Sequence, residues 1–343
     1  MKRNGMRPAR RIGMAQFAVV LAGLAVLLLA GLWLSLNSGY TRLAFGDVIQ
    51  ALLRQRPGDP TIIMWGIRLP RIVLAMLVGA GLAASGAIMQ GVSQNALADP
   101  GILGVNAGAG LGVVVYVTLF YGKVQLAPVH ALPVAAFLGA AAAALTVFAL
   151  ARKRMRITPT RLLLVGMATG AGISAAMLLF THRMDAYSYD LVKVWMSGSI
   201  WGANWRYVAA AGLWVALLLP AAIYRAGRMN VLNMGDELAT GVGLAVQRER
   251  LILLLLGVGL ASSGVAVAGT ISFVGLIGPH LARRFVGHNY RFVLPTAACF
   301  GALLVLLADT IGRTVVQPTE IPVGIVVAAI GGPYFLYLLF YQR

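Results

Sequence analysis

The sequence predicts an all-α polytopic membrane protein of about ten transmembrane helices with an internal inverted repeat, in a single domain over residues 1–343. Three observations carry that prediction. Only 11% of the residues are charged and 59% are hydrophobic, whereas a water-soluble domain carries about 25% charged residues to hydrate its surface. The apolar residues fall in runs of about 20, the length a helix needs to cross the hydrocarbon core. A glycine-rich octapeptide also occurs twice along the chain.

The first span, 14–36, follows Lys2, Arg3, Arg7, Arg10 and Arg11. Its apolar stretch exceeds the about 7–15 residues of a cleaved signal peptide, so it reads as a retained first helix with its N-terminus inside. The remaining spans are 70–90, 103–121, 129–150, 161–181, 206–224, 250–270, 274–287, 293–313 and 322–341. The eighth is short and rich in Gly and Pro. Ten spans place both termini on the cytoplasmic side, and 18 of the 28 basic residues then lie inside, the bias that orients membrane proteins. Half of the outer ten sit between Arg42 and Arg71 and need a separate explanation.

Gly79-Ala-Gly-Leu-Ala-Ala-Ser-Gly86 reappears as Gly257-Val-Gly-Leu-Ala-Ser-Ser-Gly264, and Gly91 and Gly269 keep the same offset. Five spans separate the copies, and an odd number reverses direction. Residues 70–181 and 250–341 are therefore read as inverted repeats, an architecture associated with transport. Residues 225–250 form the long inner loop between them. Gly104, Gly108 and Gly112, with Gly166 and Gly170, have the spacing that lets helices approach closely in lipid.

The net charge of +18 does not indicate nucleic acid, because the basic residues come in short bursts between apolar runs instead of covering a soluble face. Such bursts suit topology signals and anionic lipid. The single cysteine, Cys299, excludes disulfides within the chain and reads as a small buried side chain. No G-x-x-x-x-G-K-[ST] phosphate loop occurs, and His130, His182, His280 and His288 are isolated, without an H-E-x-x-H pair. Among the acids only Asp309 falls within a confident span, with Arg313 one turn later, a spacing that favours a local ion pair. No cluster for an enzyme's chemistry is found; an ion-coupled carrier working through Asp309 is the alternative reading, and a transporter with neither its own ATPase nor evident coupling acids points to an external motor.

The chain resembles the FecCD-type permease subunits of ABC importers for ferric siderophores, haem and cobalamin. The resemblance rests on Ile67-Arg-Leu-Pro-Arg71, Gly86-Ala-Ile-Met-Gln90, Asn95-Ala-Leu-Ala-Asp-Pro-Gly-Ile-Leu-Gly104 and Arg161-Leu-Leu-Leu-Val-Gly166. It continues through Asn230-Val-Leu-Asn-Met-Gly-Asp-Glu237, Phe273-Val-Gly-Leu-Ile-Gly-Pro-His280, Leu307-Ala-Asp-Thr310 with Arg313, and Glu320-Ile-Pro-Val-Gly324. It implies a permease of the bacterial cytoplasmic membrane that imports a ferric siderophore, the hydroxamate type ahead of others, with haem or cobalamin as alternatives. Implied partners are ABC ATPase subunits, an extracytoplasmic substrate-binding protein and a second permease chain, identical or paralogous. No cofactor, metal or catalytic residue is implied.

The resemblance gives Arg68, Arg71 and Arg313 the task of receiving glutamates of the binding protein. It makes Asn233, Met234, Gly235, Asp236 and Glu237 the segment that meets the ATPase. From the sequence alone, Arg68 and Arg71 also read as headgroup anchors, and the 225–250 loop as an ordinary amphipathic loop with Asp236 and Glu237 at a helix start, where negative charge is favoured. His280 reads as a hydrogen-bonded structural residue ahead of a haem ligand.

Overall fold

The computed structural model describes residues 13–38, 46, 50–51, 59–120, 128–152, 157–316 and 318–341. The basic burst from Lys2 to Arg11, residues Arg42, Arg54, Arg56, Lys123, Lys153, Arg154 and Arg156, and the terminal Arg343 lie outside the described residues.

The described chain is helical throughout. α1 (Met14–Asn37) carries no charge over 24 residues and leaves most of its surface outward, as a lipid-facing span does. α2 (Leu69–Ser93) continues from a short helix, Asp59–Ile63, and a π-helical stretch, Met64–Arg68. It is the buried centre of the bundle, packed chiefly against α12 and α10. α3 (Val105–Leu119), α4 (Pro128–Ala151), α5 (Pro159–Thr181) and the short α6 (Ala186–Met196) complete the first half. α7 (Trp205–Tyr224) leads to the one- to two-turn helices α8 (Ala226–Leu232) and α9 (Asp236–Gly241). α10 (Val246–Ala268), α11 (Val274–Val286), α12 (Tyr290–Thr314) and α13 (Val323–Tyr341) form the second half.

Each of the ten expected spans coincides with a helix. Eight are long and apolar enough to cross a membrane; α3, with 15 residues, and α11, with 13, are shorter. At 1.5 Å per residue α11 covers about 20 Å, so it does not cross alone. Before it runs irregular backbone, Gly269 to Phe273, of which Thr270 and Ser272 line a cavity; within a membrane such backbone is tolerated where protein buries it or it lines a water-filled cavity. The α6 helix and the π-helical stretch were not expected from the sequence.

The two copies of the octapeptide pack on each other in opposite directions. Gly264 lies against Val78 and Leu82, while Gly257 lies against Ile88 and Met89 and accepts a hydrogen bond from Ser85 Oγ at 2.6 Å. A side chain at Gly79 would meet the Gly301 carbonyl oxygen at 2.2 Å, and one at Gly86 the Gly275 oxygen at 1.9 Å. Small residues thus bring α2 against α12 and α11 at backbone distance, the packing that holds helices together in lipid. Gly108 and Gly112 do the same for α3 against Gly139 and Ala135 of α4; Gly104 does not, and instead takes φ +74° at the start of α3.

Candidate functional site

Three arginines gather where α1 ends, α2 begins and α12 ends. Arg71 places Nε 3.0 Å from Asp309 Oδ1 and Nη2 2.9 Å from both Asp309 Oδ1 and Glu320 Oε2. Arg313 sits one turn after Asp309, with Nε 3.1 Å from Oδ2, an ion pair without a well-aligned hydrogen bond. Its Nη2 donates to Ser35 Oγ at 2.7 Å and its Nη1 to the Ser38 carbonyl at 3.1 Å. Arg68 donates to the Leu36 carbonyl. The last carbonyls of a helix lack intrahelical partners, and here the guanidinium groups of Arg68, at the end of the π-helical stretch, and of Arg313 in α12 supply them. Arg68, Asp309 and Arg313 are all buried, whereas the Glu320 side chain is 37% exposed. Glu320 is held there because the chain after α12 folds back, with Ile321 N donating to the Gly312 carbonyl.

The Asp309–Arg313 pair expected from spacing is present, and Arg71 and Glu320 extend it. The role of Glu320 was missed: its distance from Arg71 in sequence gives no periodic signal.

At the opposite end, α8 and α9 form a small projecting unit. Gly235, at φ +100°, makes the turn between them, a backbone region that L side chains rarely adopt. Asn233 Nδ2 donates to the Met229 carbonyl and closes α8. Asp236 and Glu237 open α9 as expected. They differ in use: Asp236, though its side chain is 45% exposed, binds Arg250, with Nη2–Oδ1 at 2.8 Å, whereas Glu237 faces solvent. Arg250 is 1% exposed and also donates to the Ile157 carbonyl at 2.7 Å, so it ties α9 to the connection between α4 and α5. Glu249, buried beside it, binds Arg225 at 2.7 Å and Arg228 at 2.6 Å. Met234, Leu238 and Val242 present exposed apolar side chains. The unit is thus fixed by charge pairs to the buried Arg250 and Glu249 and shows an apolar, acid-edged face.

Between the two ends lies an open cavity of about 900 Å³ along α5, from Gly166 to Thr181, bordered by α3, α6, Thr270 and Ser272. Glycine, alanine, methionine, serine and threonine dominate its wall, and Lys193 is its one charged lining residue among those described. A smaller cavity of about 220 Å³ shares Gly101, Asn106 and Ser272 with it and is also lined by Asp99. Asp99 caps the 3₁₀ turn Pro100–Leu103 by accepting from Gly101 N at 2.8 Å. Burial pushes its carboxyl up to about 6, against that hydrogen bond, which pulls it down. No group of three or more His, Cys, Asp or Glu gathers among the described residues to hold a metal ion. His280 packs edge-on against Tyr334, with ring centroids 5.7 Å apart.

The model of the FecCD transport family matches residues 27–341. The chain belongs to the FecCD transport family. It is 45% identical over 324 residues to the iron(3+)-hydroxamate import system permease protein FhuG of Bacillus subtilis, covering 94% of this chain and 96% of that one. It is 39% identical to the hemin transport system permease protein HmuU of Yersinia pestis, covering 96% and 98%. A solved structure described as an inward-facing conformation of a metal-chelate type ABC transporter superposes with a TM-score of 0.83 at 29% identity, covering 94% of this chain and 99% of that one. The chain is therefore a multi-pass transport permease of the ABC importer class, as its sequence motifs imply.

Proposed function

We propose that this FecCD-family chain is the permease subunit of an ATP-driven importer that carries ferric siderophores, of hydroxamate type, across the bacterial cytoplasmic membrane. The observation that carries the reading is the 45% identity, across nearly the full length of both chains, with a ferric hydroxamate permease. The cavity supports it. A wall of small residues, hydroxyls and thioethers with no histidine suits an oxygen-rich chelate passing through without being held. ATP is hydrolysed on separate subunits, and a second permease chain completes the path.

The α8–α9 end faces the cytoplasm in this reading. Arg152, Arg161, Arg225, Arg228, Arg248, Arg250, Arg283, Arg284 and Arg291 gather toward it, in keeping with positive charge inside. Residues 233–237 dock in the ATPase, with Met234 and Leu238 as anchors and Glu237 at the rim. At the other end Arg68, Arg71 and Arg313 receive glutamates of the binding protein. Glu320 acts there as the resident carboxylate on Arg71, exposed enough to give way to an incoming one.

The test is uptake of ferrichrome, a ferric trihydroxamate, into vesicles holding this chain with its ATPase subunits and binding protein. Accumulation is expected with ATP and not without it, and equal uptake without ATP refutes the reading. Replacing Arg71 and Arg313 by glutamate is expected to abolish binding-protein docking, with unchanged docking refuting that assignment.

A further inference from the structure

We propose that Gln90 is a positioning residue that transmits movement of the α8–α9 unit to the cavity, by holding α11 to α2 at two points. The proposal rests on the reading that this unit meets an ATPase. Pro279 lies in α11 and has no N–H, so the carbonyl four residues earlier, Gly275, lacks its helical partner. Gln90 Nε2, from buried α2, donates to that carbonyl at 3.3 Å. The other end of the same amide, Oε1, accepts from Arg283 Nη2, two turns further along α11.

Arg283 leads on to the α8–α9 unit. The Tyr290 side chain interacts with both Arg283 and Asn233, and its ring lies against Gly91. Tyr290 N donates to Asn230 Oδ1 at 2.8 Å, and Gln94 Nε2 donates to the Leu232 carbonyl at 3.0 Å. Asn230 and Leu232 lie in α8, and Asn233 ends it. The start of α11 reaches the cavity on its other side. Gly275 has Pro100 and Asp99 at contact distance, and Asp99, Ser272 and Phe273 line the smaller cavity. One buried amide therefore joins a chain of contacts from α8, through Tyr290 and Arg283, to the residues that wall the cavity. A displacement of α8 moves Tyr290 and Arg283, and Gln90 passes it to the α11 start and to the Asp99–Pro100 turn resting on it. Demonstrated coupling, not adjacency, is what establishes such a path.

A structural role, satisfying the Gly275 carbonyl, is separable from this one. Pro279→Ala restores an N–H to that carbonyl and makes the Gln90 donor redundant for stability. The full transporter with its ATPase subunits is reconstituted in lipid vesicles with a spin label at exposed Leu97 (L97C in a C299S background), beside the Asp99 turn. Distances from this label to a second one in the same chain, at exposed Leu178 on the wall of the larger cavity (L178C), are read with and without vanadate-trapped nucleotide. The parent is expected to shift on trapping, and Gln90→Leu to abolish the shift while ATP hydrolysis stays within about twofold, the size of a change that leaves the chemical step intact. Pro279→Ala with Gln90→Leu is expected to regain thermal stability without regaining the shift. A shift retained in Gln90→Leu, or regained with stability in the double variant, overturns the proposal; if Gln90→Leu does not assemble, the double variant carries the decision. A parent that hydrolyses ATP without any shift overturns the relay, and a parent to which no ATPase subunit binds overturns the proposed function instead.

Discussion

Asp309→Ala tests whether the charge cluster at the α1–α2–α12 end holds the bundle together. Asp309 is 2% exposed and binds Arg71 at 2.9 Å and Arg313 at 3.1 Å. Removing one partner of a buried pair costs about 3–5 kcal/mol, because it leaves a charge uncompensated. Here both guanidinium groups keep other contacts. Arg71 retains Glu320 at 2.9 Å, and Arg313 retains Ser35 Oγ at 2.7 Å with the Ser38 carbonyl. The loss is therefore expected at roughly 2–3 kcal/mol, which for a chain this long lowers Tm by about 3–4 °C. The single cysteine gives a direct assay: Cys299 is half-buried in α12, the helix that carries Asp309. A thiol-reactive fluorophore then reports unfolding of that helix in detergent. A buried pair is screened little by salt, so the shift is expected to persist at high ionic strength. A fall below about 1 °C, or one that vanishes in salt, refutes the reasoning that this network is buried and stabilising.

Three further outcomes follow from the geometry. Gly86→Ala places a methyl 1.9 Å from the Gly275 carbonyl oxygen; backbone on both sides leaves it nowhere to go, so the loss is expected to exceed the about 1–3 kcal/mol of ordinary overpacking and to appear as failed accumulation in the membrane. Arg250→Met removes both bonds to Asp236 and the bond to the Ile157 carbonyl; amide exchange in α9 is expected to quicken, and unchanged exchange refutes Arg250 as its anchor. Asp99 titrates at about 6 in the folded chain against 3.8 unfolded, so the fold is favoured by protonation, and that stability, full below pH 3.8, is lost as pH rises through 6. Asp99→Asn is expected to raise Tm at pH 7.5, by at most about 3 kcal/mol of stability, with the gain shrinking toward pH 5; an equal gain at both values refutes the titration.

The fold was legible because lipid imposes a length and a polarity on each helix, and both are written in the residues. Eight spans and the shorter α3 follow from apolar length; α11, whose Gly and Pro content marked it as irregular, coincides with a helix too short and too charged to be read that way. Pair partners within one helix were legible too, since Asp309 and Arg313 are four residues apart. Long-range partners were not. Glu320 meets Arg71, and Arg250 reaches Ile157, through tertiary packing that carries no periodic signal. That α5 and α6 supply most of the cavity wall was not legible either. Gln90 stood in a motif whose purpose became apparent only beside Pro279, on a helix 185 residues away from it at Gly275.

The inverted repeat explains why the two ends of the bundle differ although they derive from related segments. An antiparallel duplication puts equivalent residues at opposite depths, so each copy of a motif meets a different environment. Gly91, near the end of α2, stays helical, and its lack of a side chain admits Tyr290 and Met229, fastening α8 to the bundle. Its counterpart Gly269 takes φ +69° and ends α10 early. The chain released there supplies Thr270 and Ser272 to the cavity before α11 begins. One small residue thus fastens α8 to the bundle in one copy and ends a helix beside the cavity in the other.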